Sequence, residues 1–335
     1  MKLSMGIVGL PNVGKSTLFK ALTKQDINIA NYPFATIDPN VGVVSVPEVR
    51  LDKLEAMSKS KKKIPAVVEF YDIAGLVRGA NKGEGLGNQF LSHIRETNAI
   101  VQVVRVFESS DILHVENSVD PIRDITIINL ELIIKDIETV EKRIGSLEKE
   151  ARVGDKEKQK DLEIMKKVKA ELLADKLVIS LEKEIREALC IKELNLLTNK
   201  PQIYLLNGQE SEVTDELKKT IENLGFSYII QDLSADDGLG ELIKKSYELL
   251  GLIIFFTTGE DETRAWTIKK ETKAPQAAGV IHTDFEKKFI RAEVINADLL
   301  LELGSWQKAK QAGKLRLEGK EYLFQDGDVV EIRHG

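Results

Sequence analysis

The sequence predicts an α/β fold: a doubly wound sheet, interrupted by a long helical hairpin and followed by a small α+β module. Three observations carry the prediction. Strand-like and helical stretches alternate as far as about Phe107 and resume at Pro201. Between them Leu130, Ile133, Ile137, Val140, Ile144, Leu147 and Ala151 recur at alternating steps of three and four, a heptad seam on a long helix. Beyond Leu250 short strands, a helix and a closing hairpin follow one another without the βα alternation. The expected division is 1–125 with 198–250 for the α/β unit, 126–197 for the inserted arm and 251–335 for the last module.

The first element sets the chemistry. Met5-Gly6-Ile7-Val8 reads as a short buried strand, and Ser16 to Thr23 as a helix with Leu18, Phe19 and Leu22 on one face. Between them Gly9-Leu10-Pro11-Asn12-Val13-Gly14-Lys15-Ser16-Thr17 fits GxxxxGK[ST]. A glycine-rich turn from strand into helix aims successive backbone N–H groups at a di- or triphosphate on the helix N-terminus. Asn12, Val13, Gly14 and Thr17 belong to that cradle, Lys15 reaches the β/γ-phosphates, and the Ser16 hydroxyl is a Mg²⁺ ligand.

Next comes a proline-bracketed loop, Asn31 to Pro39, containing Thr36. Val41 to Val46 and Ala66 to Tyr71 are β-rich; the lysines Lys59, Lys61, Lys62 and Lys63 between them read as a solvated hairpin tip, or else as a phosphate-contacting patch. The second of these strands ends in Asp72-Ile73-Ala74-Gly75, a DxxG. In switch-type NTPases that aspartate holds Mg²⁺ through water and the glycine amide donates to the γ-phosphate. A Thr36 hydroxyl completes the metal shell while the γ-phosphate is present, and its loss releases both loops. Leu76 follows Gly75 where Ras-like proteins carry a catalytic glutamine. An aliphatic side chain cannot orient water, so hydrolysis is slow or another group performs it. His93 reads as structural. His114, in a polar loop after the central strand Ile100–Phe107, is the catalytic candidate.

The helical hairpin turns at Val153-Gly154-Asp155, its second helix carries Leu162, Met165 and Leu172, and further helix from about Ser180 to Leu197 brings the chain back. It is either a solvated bundle or a projecting arm that touches a partner. Strands at Pro201–Leu206 and Ser227–Ile230 end in Asn207-Gly208-Gln209-Glu210 and Leu233-Ser234-Ala235. These ends form the base side of the site, with Asn207, Gly208, Glu210 and Ser234 as its residues. GTPases use N-K-x-D, whose aspartate accepts from guanine N1–H and its exocyclic amine. N-x-x-E lacks both the lysine and the aspartate, whereas Asn207 can pair with adenine N7 and N6. The reading is ATP over GTP.

At 335 residues, 42% hydrophobic and 30% charged, the chain is expected to be an ordinary soluble protein of two or three domains. A net charge of −6 argues against coating nucleic acid by bulk attraction. One cysteine, Cys190, forms no internal disulfide and suits a cytoplasmic protein. The first strand leaves no room for a signal peptide, and no apolar run approaches the roughly 20 residues of a membrane span.

With these residues assembled, the chain resembles the YchF family, the Obg-like ATPases among translation-associated P-loop NTPases. The most specific stretches are Gly6 to Phe19, Tyr32-Pro33-Phe34-Ala35-Thr36, and Asp72 to Ala80 with Gly83-Glu84-Gly85-Leu86-Gly87-Asn88-Gln89-Phe90. Arg264-Ala265-Trp266-Thr267-Ile268 and Ala274 to Glu286 resemble the family's TGS domain, a ubiquitin-like β-grasp module. The resemblance implies a slow ATPase, using Mg²⁺ and converting ATP to ADP, that binds the ribosome through its large subunit or the whole 70S particle. It further implies RNA contacts through the TGS domain and the arm, no membrane partner, and catalysis at the position of His114. Gly208 departs from the family's usual valine, which lowers the expected rigidity of the strand end. The competing expectation is a nucleotide-sensing scaffold, or a GTPase, in which hydrolysis is incidental.

Overall fold

A computed structural model describes residues 4–24, 40–72, 94–109, 112, 114–116, 118–151, 155–235 and 239–335. The first sheet runs in the order β2-β4-β1-β5-β6-β7. Its strands are β1 (Ser4–Val8), β2 (Val41–Ser45), β4 (Val67–Asp72), β5 (Ala99–Arg105), β6 (Gln202–Asn207) and β7 (Ser227–Gln231). All pair in parallel except β2, which runs antiparallel to β4. The apolar β5 is buried along its whole length, as expected of a central parallel strand covered on both faces. The order reverses at β1, so the loop leaving it opens into the crevice where doubly wound sheets bind ligands.

Helix α1 (Lys15–Thr23) follows β1, and α2 (Val49–Ser58) follows β2. The arm is α3 (Pro121–Ala151) packed on α4 (Lys156–Leu173), which Asp155 caps by accepting from the amides of Glu157 and Lys158. Ile133, Val140 and Leu147 of the expected seam are buried against Met165, Val168 and Leu172. Leu130 is not part of it. It is 37% exposed, because near the sheet α3 instead buries Ile128 and Leu132. The return is not one helix but a run of short turns, at Val178–Ser180, Lys183–Arg186, Leu189–Lys192 and Leu197–Asn199.

Asp136, fully buried in the middle of α3, fastens this return. Its carboxylate accepts the amides of Leu197 (2.9 Å) and Thr198 (2.7 Å) and the Thr198 hydroxyl (2.7 Å). Burial pushes its carboxyl upward, and these bonds oppose that. One turn later Lys200 donates to the carbonyls of Arg95 (3.1 Å) and Thr97, stitching β6 to the segment before β5.

After α5 (Asp215–Asn223) and α6 (Leu239–Leu249) the chain enters the second sheet, ordered β11-β10-β12-β8-β9-β3. It contains β8 (Leu252–Thr258), β9 (Glu262–Lys269), β10 (Phe289–Asn296), β11 (Arg316–Glu318) and β12 (Asp328–His334). The closing segment is not a hairpin. β12 lies inside the sheet, antiparallel to β10 and parallel to β8, while β11 pairs only with β10. Nor is the lysine run a hairpin tip: Lys62–Ile64 is β3, paired in parallel with Glu262–Arg264. Lys61 meets Asp261 at 2.8 Å, and Lys63 meets Asp52 at 2.8 Å and Glu55 at 3.3 Å. Among the described residues no helix is long and apolar enough to cross a membrane.

Replacing Asp136 by Ala strands three donors, each costing about 1 kcal/mol or more when buried without a partner. We expect Asp136→Ala to lower stability by about 3 kcal/mol in urea unfolding. Glu138→Ala, which removes a half-exposed ion pair with Lys135, changes it by under about 0.5 kcal/mol. Equal effects would show that Asp136 does not fasten the arm.

Candidate nucleotide-binding site

The glycine turn has the predicted context, with β1 buried before it and α1 directly after it. Gly14 stands at the helix N-cap with φ 111°, a left-handed conformation, and no side chain caps the helix. Its first-turn amides therefore face outward for an anion. A Cβ on Gly14 would lie 2.4 Å from Asn207 Nδ2, so the position has neither the backbone freedom nor the room for another residue.

Asn12, Gly14, Lys15, Ser16 and Thr17 help to line a cavity of about 590 Å³. Asn207, Gly208, Gln209, Glu212, Asp232 and Ser234 line the same cavity, together with Phe107, Glu108 and Ile112. Val13 is buried beneath the loop. Asp72, at the C-terminal end of β4, sits close enough for its charge to act on Lys15. Thr36, Gly75, Leu76 and His93 lie outside the described residues.

Lys15 is buried, and its Nζ donates to the Leu10 carbonyl at 2.7 Å. Burial lowers its pKa to about 8, partly opposed by Asp72. Burial likewise raises the Asp72 carboxyl, with Lys15 opposing. The two groups thus compensate each other only in part, and each keeps an unmet demand for an opposite charge.

The base end differs from the sequence expectation in three ways. First, Asn207 serves the protein's own backbone: Nδ2 donates to the Val13 carbonyl (2.9 Å) and Oδ1 accepts from the Leu233 amide (3.1 Å). One hydrogen and one lone pair are left over for a base, which is what pairing with adenine N7 and N6 requires. Second, Glu210 is turned outward in the 3₁₀ turn Glu210–Glu212 and pairs with Lys218 at 2.5 Å. The carboxylate that reaches the cavity is Glu212, which also accepts the Gln209 amide at 2.7 Å. Third, Gly208 stands where a side chain has no room. At φ 153° a Cβ would lie 2.5 Å from Val106 Cγ2 and 2.6 Å from Glu212 Oε2, so this backbone path is built for glycine.

Ser234 keeps its place on the cavity, with its amide (2.9 Å) and hydroxyl (2.6 Å) both donating to Asp232 Oδ1. His114 does not line the cavity. It is buried, with Nδ1 accepting the Glu116 amide (3.2 Å), so the ring proton is on Nε2 and is donated to Asp124 Oδ2 at 2.8 Å. Arg123 holds the other Asp124 oxygen at 3.1 Å.

Sequence reasoning passed over Arg105. It is buried at the end of β5, donates to the carbonyls of Phe107 and Ile112 (both 2.9 Å), and lays its guanidinium 4.5 Å from the Phe107 ring centre. It fixes the cavity wall. The only signal was a charged residue inside a run that is apolar apart from Gln102.

This fold and this glycine-turn cavity define a P-loop NTPase. A family described as a 50S ribosome-binding GTPase matches residues 4–140, and the C-terminal domain of YchF-type GTPases, described as of unknown function, matches residues 252–335. The ribosome-binding ATPase YchF of Bacillus subtilis is 48% identical over 99% of this chain and 99% of its own. Obg-like ATPase 1 of rice is 43% identical over 98% of this chain and 91% of its own. The solved YchF GTPase of Schizosaccharomyces pombe superimposes with a TM-score of 0.87 at 41% identity, covering 99% and 98% of the two chains. The chain belongs to the YchF (Obg-like ATPase) family.

A polyphosphate beside Lys15 favours its charged form and raises its pKa. Affinity for the anion is therefore fully supported below about pH 8, and it falls as pH rises above that value toward the higher pKa of the bound form, with proton uptake on binding. Calorimetry in buffers of different ionisation enthalpy should show that uptake between about pH 8 and 9, and Lys15→Met should abolish it. A pH-independent affinity would refute this account of Lys15.

Proposed function

We propose that the chain binds ATP with Mg²⁺ in this cavity, hydrolyses it slowly to ADP and phosphate, and uses its nucleotide state to control binding to the ribosome. The observation that carries the reading is the uncapped α1 N-terminus with Lys15 and Asp72 beside it, in a chain aligned end to end with relatives named ribosome-binding ATPases. The division into a nucleotide unit (1–125 and 198–250), an arm (126–197) and a TGS-type β-grasp unit (251–335) is part of the proposal. The arm and the last unit are its candidate surfaces for ribosome and RNA.

The donor set fits Mg²⁺. Ser16 offers an exposed hydroxyl on the first turn of α1, and Asp72 is a carboxylate whose burial Lys15 only partly offsets. Hard oxygen donors of this kind suit Mg²⁺, with Thr36 as a third ligand. When bound, the cation would offset the charge of the phosphates. Lys15 holds the β/γ-phosphates, the turn amides cradle them, and the Gly75 amide donates to the γ-phosphate.

His114 is the candidate to orient the attacking water, and its burial against Asp124 gives a physical reason for slow turnover. The imidazole has to leave two hydrogen bonds before it can face the cavity, and turnover is limited by how often it does. A cytoplasmic setting is part of the proposal, and the lone cysteine suits it.

A specific observation keeps GTP in view. The S. pombe relative is described as a GTPase, while the bacterial and rice relatives are described as ATPases. We expect calorimetric titration to show ATP binding at least about tenfold tighter than GTP, a difference of about 1.4 kcal/mol. A preference for GTP would refute the adenine reading. Asn207→Ala should weaken ATP by about tenfold or more, since it unties the loop, whereas Glu210→Ala should stay within about twofold. His114→Ala should lower turnover by about tenfold or more with ATP affinity unchanged. Ribosome co-sedimentation should differ between the ATP and ADP forms; identical binding in both would leave the scaffold reading in its place.

A further inference from the structure

The segment between β2 and β4 belongs to two domains at once. Its ends are strands of the nucleotide sheet: Val41 pairs with Tyr71, and the Asp72 amide donates to the Asn40 carbonyl at 2.9 Å. Its middle is docked on the C-terminal domain. Leu51 and Leu54 of α2 share one apolar core with Phe256, Ala265, Leu300 and Val329. β3 is an edge strand of the second sheet.

Polar contacts fasten the same middle. Arg50 donates to Glu48 (2.6 Å) and to Asp326 (2.9 Å), which in turn accepts the Ile254 amide (2.9 Å). A Cβ on Gly327 would lie 2.5 Å from Arg50 Nη1, so the turn at φ 84° leaves the guanidinium its space. Ser60 donates to the Gly259 carbonyl (2.6 Å), the Lys61 amide to the Glu260 carbonyl (2.9 Å), and Thr258 bonds Ser58 at 2.8 Å. Beside the clamp, at the joint between β2 and α2, lies a cavity of about 670 Å³ that Pro47, Glu48, Arg50 and Asp326 help to line.

We propose that residues 41–64 form a strap that relays the nucleotide state at Asp72 to the C-terminal domain, with Glu48–Arg50–Asp326 as the clamp that transmits it. The inference rests on the nucleotide reading above. Its logic is mechanical. A displacement of β4 at Asp72 moves β2 through their shared ladder, and the strap cannot follow without shifting α2 and β3 against, or together with, the second sheet. The free volume at the joint gives that shift somewhere to go. By linkage, whatever binds the C-terminal domain acts back on nucleotide affinity by the same factor.

The protein carries its own reporter. Its two tryptophans, Trp266 and Trp306, both lie in the C-terminal domain. Trp266 is on β9, two residues beyond the end of the β3 pairing, with the Arg264 guanidinium 3.9 Å from its ring centre and Nε1 donating to Thr257 at 2.9 Å. In full-length Trp306→Phe protein, Trp266 emission should change saturably with ATP, at the concentration that calorimetry gives for binding. Adding Arg50→Met should cut the change by about fivefold or more, while calorimetric affinity stays within about twofold. Asp326→Asn, which retains an oxygen for the Ile254 amide, should do the same and serves if Arg50→Met does not fold. ATP binding in calorimetry without any emission change, or full amplitude in both clamp variants, would overturn the strap. No binding in calorimetry would overturn the nucleotide reading itself, and the strap with it.

Discussion

The amide of Asn207 is the interaction on which the site depends. It joins the Val13 carbonyl, 194 residues earlier, to the Leu233 amide, 26 residues later. The loops after β1 and β7 are thereby fixed to the end of β6. Buried amide bonds of this kind add only about 1 kcal/mol each in net stability, but leaving their partners unpaired costs more. The glycine at position 14 follows from the same contact, because only a residue without Cβ can pass Nδ2. The long insertion is tolerated for a separate reason. β5 and β6 stay in register from Ile100↔Gln202 to Arg105↔Asn207, while the arm that separates them in sequence is fastened independently by Asp136 and Lys200.

Much of this was legible in the sequence, and the boundary of legibility has a physical cause. Local periodicity marked β1, the glycine turn, α1, the apolar β5 and most of the arm, since each is decided by residues within a few positions of one another. What misled were positions settled by distant partners. Leu130 continues the heptad arithmetic but lies where α3 turns a different face to the sheet. The lysine run is solvent-exposed as expected, but it looked like a hairpin tip because its partner strand is about 200 residues away. Glu210 and Glu212 differ by two residues, and only the 3₁₀ turn decides which carboxylate swings toward Lys218 and which toward the cavity. His114 matched its expected loop, yet Asp124 claims its proton, a contact no spacing rule anticipates.

The central strands also explain how one site can address two attachments. Along β5 and β6 the side chains alternate between faces. Val101, Val103, Ile203 and Leu205 belong to the core that runs through α2 into the C-terminal domain. Val104, Tyr204 and Leu206 belong to the core shared with the arm. The two strands are thus a septum between separate cores, and their C-terminal ends are Arg105 and Asn207, the residues that shape the cavity wall and hold the phosphate loop. Packed cores resist continuous deformation and shift as units. A displacement at those strand ends therefore reaches both cores through side chains one residue apart, without needing a separate path to each.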